Sequence, residues 1–159
     1  MIILGVDPGS HATGYGVIST GPVVRSLGGG VIRAVKSAPL SDRLLAIHTE
    51  LTQVIDRYGP MAMAVEDLFN AKNARSSLIL GHARGVILLA GSSAGLSVAE
   101  YAPREVKKAL TGNGAATKEQ VRFMVMRLLG LKESPPLDMS DALAVALTHA
   151  GRSQFSGLA

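Results

Sequence analysis

Within seven residues of its start the chain sets an unbroken apolar run, Ile2-Ile3-Leu4-Gly5-Val6, against an acid, and the acid opens the turn sequence Asp7-Pro8-Gly9-Ser10. A run with no polar alternation fits a strand covered on both faces, so the chain must supply helices for both sides of a sheet. Such a strand leaves Asp7 at the rim of a dry core, where ionisation is costly. The 159 residues suffice for one domain that buries roughly 70% of its unfolded surface, which disfavours a two-lobed enzyme. A composition that is 47% hydrophobic and 18% charged supports a packed interior. There is no cysteine, which excludes disulfides, thiolate metal sites and a thiol nucleophile. Asp7 interrupts the opening run too early for a secretory leader, and the weakly charged stretch from Gly85 to Ala99 is shorter than the ~20 residues of a membrane span. The expectation is a soluble, cytoplasmic chain without a membrane partner.

The order of elements points to an α/β fold. Strands at Thr13 to Ser19 and Val23 to Arg33, separated by Thr20-Gly21-Pro22, extend the first strand into an antiparallel meander. Ser41 reads as the N-cap of an amphipathic helix presenting Leu44, His48, Leu51, Ile55 and Tyr58, stopped by Gly59-Pro60. Met61 to Leu68 reads as a buried strand carrying Glu66, and strand-helix-strand order makes it parallel to an earlier one. A helix from about Asn73 to Ala90 follows, then a strand from Leu96 to Ala102 and a short helix from Arg104 to Leu110. Thr117-x-x-Gln120 is a capping box opening a helix to Leu129. Pro135-Pro136 break the chain before a last helix from about Asp138 to Ala150. The sheet is therefore five-stranded and mixed, three antiparallel strands then parallel ones, in one domain over residues 1–151, with 152–159 expected as a disordered tail.

Four acids occupy costly positions: Asp7 and Glu66 at strand ends, and Asp138 with Asp141 three apart on one helical face. Singly, each has an ordinary structural explanation, an Asx turn, a solvated strand end or a helix N-cap. Together, each at an element end beside an apolar run, they point to a shared site with no Lys or Arg among the acids. Such a cluster requires protons or cations, and oxygen donors without His or Cys select Mg²⁺ or Mn²⁺. Two such ions are a device for phosphodiester hydrolysis. His11, His48, His82 and His149 lack ligand spacing.

Asp7-Pro8-Gly9-Ser10 with Thr13-Gly14-Tyr15-Gly16, Val65-Glu66, the segment Phe69 to Ala74, Gly81-His82-Ala83-Arg84-Gly85 and Asp138-x-x-Asp141-Ala142-Leu143-Ala144 together resemble the RuvC family of Holliday-junction resolvases, in order from Met1 to about Gly151. The resemblance implies an RNase H-like fold, a homodimer, and Mg²⁺-dependent paired nicking of a four-way DNA junction that leaves 5′-phosphate ends, in recombination and repair. It implies Asp7, Glu66, Asp138 and Asp141 as the metal-binding catalytic tetrad. It also implies a branch-migration motor, RuvA with RuvB, as partner. His82 stands where the family commonly carries Gln.

Net charge is +4 and the pI about 9.7, a mild bias toward anionic partners. Lys72, Arg75, Arg104, Lys107, Lys108, Lys118 and Arg122 flank the acids in sequence and are the candidate DNA contacts, since a polyanion approaching an acidic site needs cations to offset repulsion. Lys107 and Lys118 resemble the family's phosphate contacts, and Phe69 resembles a residue stacking on an unpaired base. The small-residue stripe Ala74, Ser77, Gly81, Gly85 is the candidate dimer contact. Two alternatives stay open: a nucleotide-binding lobe of the sugar-kinase or actin type, which needs a second lobe, and a non-catalytic junction-binding module with structural carboxylates.

Overall fold

The structure is a computed structural model that describes the backbone of residues 1–67 and 73–156 and the side chains as far as residue 153 outside that gap. Five strands, β1 (Ile2–Asp7), β2 (Ala12–Ser19), β3 (Arg25–Arg33), β4 (Ala62–Glu66) and β5 (Ser97–Tyr101), form one sheet in the order β3-β2-β1-β4-β5. The first three are antiparallel, and β1, β4 and β5 run parallel. Alternation along β1 explains its unbroken apolar run. Leu4 and Val6 pack with Ile47, Leu51 and Ile87 from α1 (Leu40–Tyr58) and α2 (Ala74–Ser93). Ile3 turns to the other face, where α3 (Pro103–Thr111), α4 (Lys118–Leu129) and α5 (Leu137–Ser156) supply Val106, Val125 and Leu143.

The packing of α5 decides where the acids go. This helix lies across β1 and β2 on backbone stripped of side chains: a Cβ on Gly5 would strike the Ala142 carbonyl, and one on Gly14 would strike the carbonyl of Asp138. Glycine at these two positions lets the helix sit closer to the sheet than a side chain would allow.

Several local expectations are corrected. Helix α1 starts at Leu40 with Pro39 as its N-cap and no side-chain cap, in place of a Ser41 cap. The Pro39 carbonyl accepts from the Asp42 and Arg43 amides instead, both at 3.1 Å. Its buried face is Arg43, Ile47, Leu51, Val54 and Ile55, with Leu44 and Tyr58 of the expected stripe partly buried against the same core and Arg43 bonded to polar partners beneath the helix. Asn73 caps α2 as a side-chain acceptor from the Ser76 amide, so that helix begins at Ala74 and runs three residues past Ala90. The Thr117 capping box forms as expected. Helix α5 continues through Gly151 to Ser156, into the segment expected as a tail, and the Ser153 hydroxyl donates to the His149 carbonyl at 2.6 Å within that extension.

Candidate active site

Strand register brings the acids together. Asp7 lies opposite Gly14 of β2, the residue over which the start of α5 passes with Asp138. On the other side Val6 pairs with Val65, so Glu66 follows at the same sheet edge as Asp7, and Glu66 in turn pairs with Tyr101. By alternation Asp7 and Glu66 both face α5. Asp141, one turn beyond Asp138, overlooks the same edge.

The electrostatics record the crowding. Burial, then the neighbouring Glu66 and Asp141 charges, pushes the Asp7 carboxyl from 3.8 up to about 9, with Asp138 adding to the push. Asp7 and Glu66 hydrogen-bond to each other. Burial also raises Glu66, against the opposing pull of that hydrogen bond and of Lys118 and Lys107. Asp141 is raised by burial even though Lys118 Nζ sits 3.3 Å from its Oδ2. The Asp141 charge in turn raises Lys118. The cluster expected to lack any Lys or Arg is therefore touched by one. The capping box starts α4 at Lys118 and aims its long side chain at α5, a contact set by tertiary packing rather than by sequence proximity. A cavity of about 140 Å³ opens here, lined by Glu66, Lys107, Lys118, Val121 and Asp141 among others.

The donor set suits a hard divalent cation: oxygen donors only, more negative charge than Lys118 neutralises, and a buried Asp7–Glu66 pair whose ionisation a cation would favour. Among the described residues no three His, Asp or Glu side chains already form a closed cation cage. Asp7 and Glu66 bond to each other and Asp141 leans on Lys118, so coordination would require these side chains to turn toward a common centre.

The basic candidates separate by position. Lys107 and Lys118 face the acids. Arg104 and Lys108 are exposed on α3, and Arg75 is exposed in the first turn of α2. Arg122 is half-buried, and its Nη2 donates to the Pro135 carbonyl at 3.0 Å, tying α4 to the turn that launches α5. Phe69 and Lys72 lie outside the described residues. Of the histidines, His149 accepts or donates at 2.8 Å with the Tyr101 hydroxyl.

The sequence reading missed Arg43. This residue is 8% exposed, and its guanidinium donates to the Ser10 carbonyl at 2.6 Å and lies 3.1 Å from His11 Nδ1. Thr13, fully buried, donates to the Gly9 carbonyl at 2.9 Å. Together they fix the turn behind Asp7. An Arg within an amphipathic helix gives no sign in the sequence that it points inward.

Comparison with known proteins agrees with this geometry. A family model described as Crossover junction endodeoxyribonuclease RuvC matches residues 3–149. Proteins of that name from Stutzerimonas stutzeri and Desulforamulus reducens are each 50% identical to this chain. The first aligns over 154 residues, 96% of this chain and 88% of its own length, and the second over 159, 99% and 98%. The solved structure of T. thermophilus RuvC in complex with Holliday junction substrate superposes with a TM-score of 0.93 at 40% identity, covering 98% of this chain and 96% of that one. The yeast mitochondrial Holliday junction resolvase Ydc2, at 12% identity and a TM-score of 0.67, shares the RNase H-like fold. A family match over nearly the whole chain, together with half-identical relatives covered almost end to end, means that this protein belongs to the crossover junction endodeoxyribonuclease RuvC family.

Proposed function

We propose that the chain is an endodeoxyribonuclease that resolves four-way DNA junctions by paired nicking, with Asp7, Glu66, Asp138 and Asp141 as its metal-holding, catalytic carboxylates. The observation that carries this reading is the convergence of Asp7 and Glu66 beside Asp141 at the open edge of the parallel strands, their carboxyls pushed up by burial and neighbouring charge and flanked by Lys107 and Lys118. Carboxylates gathered against their mutual repulsion are poised for cations. Mg²⁺, or Mn²⁺ in its place, is the cation the oxygen donors favour, and when bound it polarises the scissile phosphate and eases deprotonation of an attacking water.

The protein's own groups do the rest. Asp7 and Glu66 would hold the cation, whose charge would favour the ionised carboxylates that burial and crowding disfavour. The bare backbone of Gly14 lets Asp138 approach the sheet, and Lys118 holds Asp141 at the lining of the cavity. Lys107 and Lys118 offset the DNA charge that the acids repel and hold phosphates in register. Arg75, Arg104 and Lys108 extend this basic rim as DNA contacts. Arg122, committed to Pro135, acts on DNA through the loop it positions. Phe69 is assigned to the junction on family grounds, by stacking on an unpaired base, and Lys72, which flanks the acids in sequence, is assigned to DNA contact. We read residues 1–151 as the nuclease domain.

A junction presents two equivalent scissile phosphates, so a two-fold dimer explains paired incision. Helix α2 favours this: it is apolar nearly all round, Leu78 and Leu89 are 65% and 59% exposed, and space lies open above Gly81 and Gly85. Among the described residues no helix is long and apolar enough to cross a membrane. The cytoplasm, where the DNA is, remains the proposed location, and the RuvA and RuvB motor the proposed partner assembly.

The test is an end-labelled four-way junction titrated with Mg²⁺. Metal-dependent nicks in two opposed strands, with ends that ligase seals, are the expected result. Binding without nicks would leave a junction-binding module, and nucleotide hydrolysis without nicks would favour a kinase-like lobe.

A further inference from the structure

The far face of the sheet carries a charge cluster that the proposed chemistry does not use. Alternation at the end of β4 sends Glu66 toward α5 and its neighbour Asp67 toward α2. On that second face one guanidinium nitrogen, Arg84 Nη2 of α2, lies 2.9 Å from Asp67 Oδ1 and also contacts Glu100 Oε2 of β5. Glu100 pairs with Val65 in the register, so the two acids sit at adjacent strand ends on the same side. The Asp67 amide donates to the Tyr101 carbonyl at 2.8 Å, carrying the β4–β5 pairing one residue past Glu66. Asp67 is thus held twice, through its backbone by β5 and through its carboxylate by α2.

We propose that Arg84 is a positioning residue for Glu66. It pins Asp67 from behind the sheet, and so fixes the backbone position at the end of β4 from which the Glu66 side chain reaches into the site. The contact is charge-driven and partly dry, with side-chain exposures of 26% for Arg84 and 19% for Asp67, so water competes poorly for it. Asp67 Oδ1 is buried with no hydrogen-bond partner among the described residues, so the ion pair with Arg84 Nη2 is what holds it. Displacements of about 1 Å at a reacting centre cost up to ~100-fold in rate, which makes a clamp one residue from a ligand consequential. The inference rests on Glu66 belonging to the catalytic cluster.

The experiment is single-turnover cleavage of a saturating four-way junction by Arg84→Gln, Asp67→Asn and the double variant, with junction affinity measured in Ca²⁺ and thermal unfolding followed on each protein. Expected are roughly tenfold slower cleavage in either single variant, affinity unchanged within about twofold, and a double variant no slower than the singles, because the two residues act through one contact. Arg84→Lys, which keeps a cation at the same place, should recover most of the rate. Wild-type cleavage by a folded Arg84→Gln overturns the proposal, as do single effects that multiply in the double variant. If Arg84→Gln does not fold, Asp67→Asn, which leaves the Arg84–Glu100 contact intact, decides alone. Glu66→Gln is the control: full cleavage by that variant refutes the site assignment itself, whereas its inactivity alongside an active Arg84→Gln refutes only the clamp.

Discussion

Replacing Asp7 by Asn removes the group whose ionisation the fold resists most, so the variant should be more stable than the parent while losing activity. In the folded, metal-free protein Asp7 holds its proton up to about pH 9, whereas in the unfolded chain it releases it near 3.8. Between those limits the folded state binds the extra proton, so stability falls as pH rises through this window. With no relaxation, the gap amounts to about 5 kcal/mol at about pH 7.5. Asp7 is not fully buried, and water entry and movement of Glu66 reduce this to about 1–3 kcal/mol. At 2–4 °C per kcal/mol for a chain of this size, Asp7→Asn should melt about 2–12 °C higher in EDTA near pH 7.5. The advantage should shrink toward pH 4 and vanish below about pH 3, where both the folded and the unfolded parent are protonated. Mg²⁺ should stabilise the parent and scarcely affect the variant, because a cation favours the ionised carboxylate that Asn lacks. Differential scanning fluorimetry across pH, with and without metal, measures all three effects, and junction cleavage should drop by about 1,000-fold or more. An Asn variant that melts no higher than the parent near neutral pH, or that gains equally at pH 4, refutes the argument that the carboxylates are crowded against their charge.

Gly14→Ala would drive a Cβ into the Asp138 carbonyl, so α5 must lift at its start. We expect a loss of about 1–3 kcal/mol in thermal unfolding and a larger relative loss of cleavage, about 100-fold, because Asp138 leaves the cluster; parental cleavage by a folded Gly14→Ala contradicts the close-approach account. Gly81→Leu fills the open groove on α2 and should convert a dimer to monomer in sedimentation velocity with the fold intact, while an intact dimer removes α2 from the interface.

Much of the architecture was readable from pattern. The uninterrupted Ile2 to Val6 run announced a strand covered on both faces, and helices on both sides of the sheet follow from it. The Thr117-x-x-Gln120 box placed the start of α4, because capping is a local hydrogen-bonding event within four residues. The four acids stood out because each lay beside an apolar run near the end of an element. Other features depend on partners distant in sequence. Ser41 had the chemistry of a cap, yet Pro39 caps α1, and the buried face includes Arg43, which reaches a turn 33 residues away in sequence.

By itself, the sequence determined what is local: the strand and helix periods, the capping box, the supply of four carboxylates at element ends and the absence of thiol chemistry. Only the tertiary structure decided which acids meet and what touches them: that Asp7 and Glu66 share a hydrogen bond, that Lys118 leans on Asp141, and that Arg84 grips the residue behind Glu66. The division has one physical cause. Periodicity and capping are set by backbone geometry over a few residues, whereas the field at a carboxylate is set by burial and by charges that strand register and helix packing bring in from far along the chain.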